Sequence, residues 1–327
     1  TSPVSYIARL EDLNQLLANL AKQNVIFDIA CTSEEGNSKF GVNLKKNTFL
    51  QRENNRNSGT INPQRLIQFL HKAITLKGNR ILYKTKVEHI QIKDDLYAIA
   101  VLNKNGKTKV MYAKQVICAG GPFTGQLLQT MAPYFKDLIS PKRVYLTFLK
   151  IKDAPYQNLT STQKKQLQNG FPIIDRSSNE LTDEFYAMIE RYDLYNNPII
   201  KIGGHFQRSA ISNLDEIWNT KLSEDELNWG LLKVATYLHV LNLPIKAQHL
   251  EVVDEYSCVY SLTESEVPFV TPIIDLDGSK NPNFVAMTGM SGVGAKGAMA
   301  YGQIAAHLLS GKLKENSFYK KNFCIDK

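Results

Sequence analysis

Apolar residues recur at helical spacing near the start of the chain. In residues 10–24, leucines return every three or four positions, which predicts an amphipathic helix. A second helix is predicted after Asn62, because asparagine is a favoured N-cap and Pro63 suits the first helical position. Residues 36–58, between the two, are polar and predict a loop.

Strand-like patterns and further helices fill the middle of the chain. Alternating positions in residues 80–113, interrupted at Asn105-Gly106, predict a small antiparallel meander with a hairpin there. Residues 143–204 are mostly strand-like, apart from a polar helix at 161–169. Ser223-x-x-Glu226 is a capping box that predicts the start of a long helix to residue 241, and residues 250–262 again read as strand.

Two strand–glycine–helix patterns complete the chain. An apolar run at 116–119 leads into Gly120-Gly121 and a helix that begins near Phe123. A second run at 284–287 leads into a G-x-G-x-x-G pattern at 292–297 and a helix to residue 309. Helices and strands interleave along the whole chain, so the pattern predicts an α+β fold without two sequential domains.

The G-x-G-x-x-G pattern is typical of dinucleotide sites, but its position argues against one. A Rossmann unit needs a second parallel strand after the helix and an acidic residue about 20 positions on. The residues after 309 show no such strand. Two interpretations remain open: a turn whose glycines only permit tight packing, or a helix N-terminus directed at an electron-rich part of a cofactor held mainly elsewhere.

Composition and charge indicate which kinds of partner, metal site and compartment to expect. The net charge is +8, but the lysines are dispersed and no arginine-rich tract is present, which favours solvated faces over nucleic-acid binding. No apolar run is long enough to span a membrane, and no leader pattern precedes the first helix. The four cysteines lie far apart without metal-ligand spacing, so we expect no metal site and a cytoplasmic, reduced protein.

Five segments together resemble one enzyme family. They are residues 58–90, residues 116–128 (VICAGGPFTGQLL), the K-x-G-x-H run at 201–205, the C-x-Y run at 258–263, and residues 287–312. In this order they resemble the D-amino-acid-oxidase-like FAD-dependent oxidoreductases, with the closest similarity to the monomeric sarcosine oxidase and pipecolate oxidase branch.

The resemblance implies a domain plan. An FAD-binding domain of the glutathione-reductase-like type would interleave with an antiparallel-sheet substrate domain. The implied assignment gives 58–80, 114–140 and 283–315 to FAD binding, 1–57 and 141–282 to the substrate, and 81–113 to a meander attached to the FAD domain. The family's N-terminal ADP-binding strand, glycine turn and helix match no part of this sequence, so we expect the chain to lack that segment.

The resemblance also implies the cofactor contacts. Val87 would lie on the adenine side, and the turn and helix at the C-terminus would face the flavin ring. Cys258 would form a thioether with the flavin 8α-methyl carbon, the alternative being an ordinary packing cysteine. The implied FAD-binding residues are Val87, Ala119, Gly120, Gly121, Phe123, Cys258, Gly289, Ser291, Gly292, Val293, Gly294, Ala295 and Lys296.

The implied catalytic residues are Lys201, His205, Lys296 and Tyr186. Lys201 would assist the reaction with O2, Lys296 would bind a substrate carboxylate, and His205 and Tyr186 would shape the substrate pocket. The expected activity is oxidation of a secondary amine or N-methyl amino acid by a monomer or small homo-oligomer, with O2 giving H2O2. The alternatives are a dehydrogenase with another acceptor and a degenerate, flavin-free binding protein.

Overall fold

A computed structural model describes residues 3–23, 25–53, 59–207, 209–211, 213–214, 221–313 and 318–325, without the side chains of 320 and 321. Its strands are β1 (Ser5–Arg9), β2 (Phe27–Ala30), β3 (Thr48–Glu53), β4 (Thr85–Lys93), β5 (Leu96–Asn103), β6 (Thr108–Ala113), β7 (Val116–Cys118), β8 (Ser140–Ile151), β9 (Ile173–Arg176), β10 (Phe185–Tyr192), β11 (Pro198–Gly204), β12 (Leu250–Leu262), β13 (Phe269–Ile274) and β14 (Lys280–Thr288). Its helices are α1 (Leu13–Lys22), α2 (Ser33–Phe40), α3 (Pro63–Leu76), α4 (Thr124–Leu127), α5 (Phe135–Leu138), α6 (Asp153–Gln157), α7 (Ser161–Gln168), α8 (Glu224–Val240), α9 (Gly294–Leu309) and α10 (Phe318–Phe323).

The chain divides into two compact units, each assembled from separated segments. The first unit contains residues 1–61, 144–209 and 218–258, and the second contains 62–143, 210–217 and 259–327. The α+β class and the interleaving expected from the sequence are confirmed. Residues 259–282, which the domain plan gave to the substrate domain, belong to the second unit, and the functional assignment of the two units stays a prediction.

An eight-stranded sheet forms the frame of the first unit. Its strand order is β12-β8-β11-β10-β9-β1-β3-β2, with β1 parallel to β9 and antiparallel to β3. Helix α8 packs on one face, where Tyr237 and Leu238 join Ile200 and Ile202 in the buried core. The predicted capping box is present, since Ser223 Oγ accepts from the Glu226 amide and Glu226 accepts from the Ser223 amide. One face of the sheet is therefore buried against α8.

The loop predicted for residues 36–58 is wrong for its described part, residues 36–53. Helix α2 begins after Thr32, whose hydroxyl accepts from the Glu35 amide at 3.1 Å, and ends at the left-handed Gly41. Strand β3 then pairs on both sides, with β1 and with β2, and its Phe49 and Leu50 are fully buried. Tertiary pairing and burial therefore override the polar composition. Residues 54–58 lie outside the described residues.

The second unit holds two smaller sheets. Strands β4, β5 and β6 form the predicted antiparallel meander, with the hairpin turn at Asn105-Gly106. Helix α3 begins as expected, because the Asn62 side chain accepts from the Arg65 amide at 3.0 Å. The other sheet has the order β13-β14-β7, in which β14 is parallel to β7. Parallel pairing brings the carboxyl ends of β7 and β14 to the same edge.

Candidate functional site

Two turns meet at that edge of the second unit. Ala119, Gly120, Gly121 and Phe123 follow β7, and Gly121 has a left-handed φ of 55°. A second turn, residues 289–293, follows β14. In open sheets with parallel strands, ligands bind outside the carboxyl ends of the strands. The edge is therefore placed where a cofactor contact is expected.

Two buried threonines hold the turns together. The Thr288 hydroxyl donates to the Gly121 carbonyl at 3.0 Å, and the Thr124 hydroxyl lies 3.0 Å from Thr288 Oγ1. Both threonines are fully buried. The sequence patterns did not single out either residue, because a threonine after a strand has no distinctive spacing.

The glycines of residues 289–293 are required by their own surroundings. Gly289 and Gly292 have φ values of 70° and 82°, in the region that favours glycine. A Cβ at Gly289 would overlap Thr263 Cγ2, and one at Gly292 would lie 2.8 Å from the Tyr260 ring. Ser291 ties the same turn to β12, since its amide donates to the Ser261 carbonyl at 3.0 Å. The tight-packing interpretation is thus correct for these two glycines.

Helix α9 starts directly after this turn, at Gly294. Val293 is the N-cap, and no side chain caps the helix among the described residues. Ala295 and Lys296 are exposed in the first turn. Amides and the positive end of the helix dipole favour an electron-rich partner. The arrangement fits the flavin contact that the resemblance implies for Gly294, Ala295 and Lys296.

Val87 lies on β4, far along the chain from both turns. It is half-buried and packs against the buried cluster that contains Ile90 and Phe284. The pairing of β4 with β5 shifts register between Val87 and His89. This position gives Val87 a packing role, and its predicted contact with the adenine side stays a prediction.

Three of the predicted catalytic residues lie in the first unit, on or directly after two neighbouring strands. Tyr186 on β10 pairs with Gly203 on β11, and Met188 pairs with Lys201, so Tyr186 and Lys201 share one face of the sheet. A Cβ at Gly203 would overlap the Tyr186 ring, so the glycine lets the tyrosine lie across β11. We call this side of β10 and β11 the Lys201 face.

His205 lies at the end of the same strand. Strand β11 ends at Gly204, and His205 follows it as a half-buried residue whose Nδ1 atom is buried. The next residue, Phe206, stacks on Trp229 with ring centroids 5.8 Å apart. Packing therefore fixes the backbone immediately after His205.

Glu190 is a functional candidate that the sequence analysis missed. The pairing of β10 with β11 shifts register between Ile189 and Arg191, which leaves Glu190 as the extra residue of a β-bulge. Its carboxylate forms an ion pair with the Lys201 ammonium. Bulges often redirect a side chain next to active sites, but a bulge is set by strand pairing and has no signal in the local sequence.

Cys258 is a free, half-buried thiol on β12. Burial raises the pKa of the Cys258 thiol above its ordinary value, so the neutral thiol is favoured at physiological pH. The other three cysteines, including the buried Cys118, form no disulfide among the described residues. No group of His, Cys, Asp and Glu suited to a metal ion occurs among the described residues.

Within the described ranges, each helix is either too short or too polar to cross a bilayer.

Comparison with known proteins identifies the family. A family model described as DAO, FAD dependent oxidoreductase, matches residues 54–308. No curated protein matches the chain.

The fold is shared with solved structures of low sequence identity. L-amino acid deaminase from Proteus vulgaris is 14% identical, with 99% of this chain and 72% of that chain covered and a TM-score of 0.62. L-proline dehydrogenase from P. horikoshii is 16% identical, with coverages of 95% and 74% and a TM-score of 0.65. Glycine oxidase from Geobacillus kaustophilus is 13% identical, with coverages of 100% and 75% and a TM-score of 0.64.

The family expected from the five sequence segments is thereby confirmed, whereas the closer similarity to the sarcosine oxidase branch stays a prediction. Because the family match extends over most of the chain, the protein belongs to the DAO family of FAD-dependent oxidoreductases.

Proposed function

We propose that this protein oxidises the C–N bond of a secondary amine or an N-methyl amino acid, with O2 as the electron acceptor. The amine would become an imine, which water hydrolyses, and O2 would become H2O2. The observation that carries the proposal is the Lys201 face, where Tyr186 of β10 and Lys201 of β11 lie on one side of the sheet and His205 directly follows β11.

The names of similar structures support an amino compound as substrate. Glycine oxidase and L-amino acid deaminase are named for amino acids, as is L-proline dehydrogenase. At 13–16% identity these structures show only a shared fold, so the substrate class is part of the proposal.

The residues of the second unit are those we assign to the cofactor. Bound FAD would take up the hydride equivalent that leaves the carbon next to the amine nitrogen. The residues after β7, together with Gly289, Ser291, Gly292 and Val293, would line its edge. The amides of Gly294 and Ala295 at the start of α9 would stabilise negative charge that develops there.

The residues of the Lys201 face have separate assigned roles. A fixed ammonium at Lys201 stabilises the negative charge that O2 acquires as it is reduced. The Glu190 ion pair holds that ammonium in place. Tyr186 and His205 would orient the amine, since a hydroxyl and an imidazole can both accept or donate a hydrogen bond. Lys296, which is exposed in the first turn of α9, would bind a substrate carboxylate.

A dehydrogenase is the second candidate, and the Glu190–Lys201 ion pair is the observation that favours it. A carboxylate beside the lysine offsets the charge that would otherwise assist O2. Peroxide formation distinguishes the two functions. Turnover of the full-length enzyme that consumes O2 and yields H2O2 supports the oxidase, whereas turnover only with an artificial dye acceptor supports the dehydrogenase.

The first experiment is an absorption spectrum of the full-length protein before and after acid precipitation. We expect flavin bands that remain with the pellet, as a covalent link at Cys258 requires. Cys258→Ala should release the flavin into the supernatant, and Cys31→Ala, a change at another half-buried free cysteine, should not.

Yellow supernatant from the unaltered protein would refute the covalent link and leave the flavoenzyme. Protein that stays colourless after incubation with FAD would refute the oxidase and leave a flavin-free binding protein.

A further inference from the structure

A cavity lies in the first unit against β1 and β3, on the same face of the eight-stranded sheet as Tyr186 and Lys201, with β9 between β1 and β10. It has a volume of about 520 Å³, and its lining comes from α1, from β1 and β3, and from residues 176–184. Neither Tyr186 nor Lys201 nor His205 contributes to the lining. We call it the Gln51 cavity, after Gln51 of β3, which lines it.

Gln51 has a donor that the fold does not use. Its side chain is only 1% exposed, and its Nε2 atom is buried without a hydrogen-bond partner among the described residues. The pairing of Tyr6 with Gln51 places both side chains on the same face of the sheet, and both line the cavity. A buried amide without a partner costs free energy, so its retention calls for an acceptor from outside the chain.

The charges around the cavity are not balanced. Arg9 and Asp12 satisfy each other through hydrogen bonds of 3.0 and 3.2 Å, and Arg176 lies 3.5 Å from Glu184. Glu53 makes no ion pair with any described residue. Burial raises the pKa of Tyr6, and the Glu53 carboxylate raises it further while the Arg176 guanidinium lowers it. Among the described charged residues that line the cavity, Glu53 is thus the one outside an ion pair.

We propose that the Gln51 cavity binds a small amine with one positive charge and a neutral hydrogen-bond acceptor, as in an amino-acid amide. The ammonium group lies toward Glu53, and the carbonyl oxygen accepts from Gln51 Nε2. Apolar lining residues such as Leu16 and Leu181 receive an aliphatic side chain. This inference does not depend on the proposed oxidase activity, because binding requires neither flavin nor turnover.

Calorimetry tests the proposal by measuring the affinity of the full-length protein for L-leucinamide at pH 6.5, where the amine is protonated. We expect leucinamide to bind at least tenfold more tightly than N-acetyl-L-leucinamide, which lacks the charge, or 3-methylbutylamine, which lacks the carbonyl. Gln51→Met and Glu53→Gln should each weaken leucinamide at least tenfold. The matched controls Gln91→Met and Glu264→Gln, both at exposed positions outside the cavity, should leave the affinity unchanged.

A stability measurement separates a binding role for Gln51 from a structural one. Without ligand, Gln51→Met should raise the Tm, because methionine keeps the side-chain length and removes the unpaired donor. Should Gln51→Met fail to fold, the Glu53→Gln variant decides alone. No binding of leucinamide at millimolar concentration, or the same affinity in the Gln51→Met and Glu53→Gln variants, would overturn the proposal.

Discussion

At the scale of single residues, the glycines just before and at the start of α9 differ in their surroundings, a difference that the sequence did not show. Gly289 and Gly292 are needed because Thr263 and the Tyr260 ring lie against them and because their φ values are positive. Gly294 begins a helix that no described side chain caps. Crowding therefore accounts for Gly289 and Gly292, whereas the predicted flavin contact concerns Gly294.

Alanine substitution should separate backbone strain from side-chain crowding at glycines with positive φ. Gly278 and Gly289 both have positive φ, but a Cβ at Gly278 would meet no atom within 4 Å, whereas one at Gly289 would overlap Thr263. Gly278→Ala should cost about 1–2 kcal/mol of unfolding free energy from backbone strain alone. Gly289→Ala should cost about 1–3 kcal/mol more. Urea denaturation measures both, and equal losses would show that the turn relaxes around Thr263.

Lys201 and Lys150 form a matched pair of lysines. Their side chains are 21% and 20% exposed, and each forms an ion pair with a glutamate, Glu190 and Glu251 respectively. Lys201→Met should slow the reaction with O2 on the order of 10²-fold, as expected for loss of a charge that stabilises the transition state. Lys150→Met should leave it unchanged. Stopped-flow oxidation of the reduced enzyme measures both, and equal rates for Lys201→Met and the unaltered enzyme would remove Lys201 from the oxygen reaction.

At the scale of elements, boundaries that a cap marks were predictable. Asn62 and Ser223 each begin a helix where the sequence placed them, since a side-chain oxygen there accepts from the amide three residues on. Strand β3 had no such marker, and its burial between β1 and β2 comes from pairing with distant residues. Local signals therefore located the helices better than the strands.

A pH-dependent ion pair ties α8 to the segment before β10. Lys233 Nζ donates to Asp183 at 2.7 Å and holds the pKa of the Asp183 carboxyl below its ordinary value. A lowered native pKa adds stability above the unfolded-state pKa, and that stability is lost as the pH falls through the native pKa. Because Asp183 is half-exposed, Asp183→Asn should cost only about 0.5 kcal/mol at pH 7.

The difference in unfolding free energy between the Asp183→Asn variant and the unaltered protein should shrink as the pH is lowered from 7 to 3. It should also shrink in high salt, which screens the ion pair. Urea denaturation over that pH range measures it. Glu264→Gln, at an exposed carboxylate without an ion pair among the described residues, is the control and should show no such trend. A difference for Asp183→Asn that stays constant with pH would show that the ion pair contributes nothing.

At the scale of the whole molecule, each unit is built from segments far apart in sequence. The first unit takes three segments, and the predicted catalytic residues Tyr186 and Lys201 both belong to it. Lys296 and the glycine turns belong to the second. Membership of the DAO family assigns FAD to the protein as a whole.

Binding of FAD should stabilise the full-length protein. In the Cys258→Ala variant, where no covalent link can form, FAD at 100 times its Kd should add about 2.7 kcal/mol to the unfolding free energy. Thermal unfolding with and without FAD measures the shift, with NAD⁺ at the same concentration as the control. An identical Tm with FAD, with NAD⁺ and without either would contradict FAD binding by the non-covalent protein.

The sequence by itself determined the α+β class, the family, the helix starts at Asn62 and Ser223, the meander and the two glycine turns. These features depend on local caps, periodicity and motif order, which a chain carries without its fold. Only the tertiary structure decided the ion pair of Glu190 with Lys201, the threonines that join the two turns, and the unpaired amide of Gln51. Each of these depends on strand register or on the meeting of distant segments, and one residue of slip in a strand would turn the side chain to the opposite face.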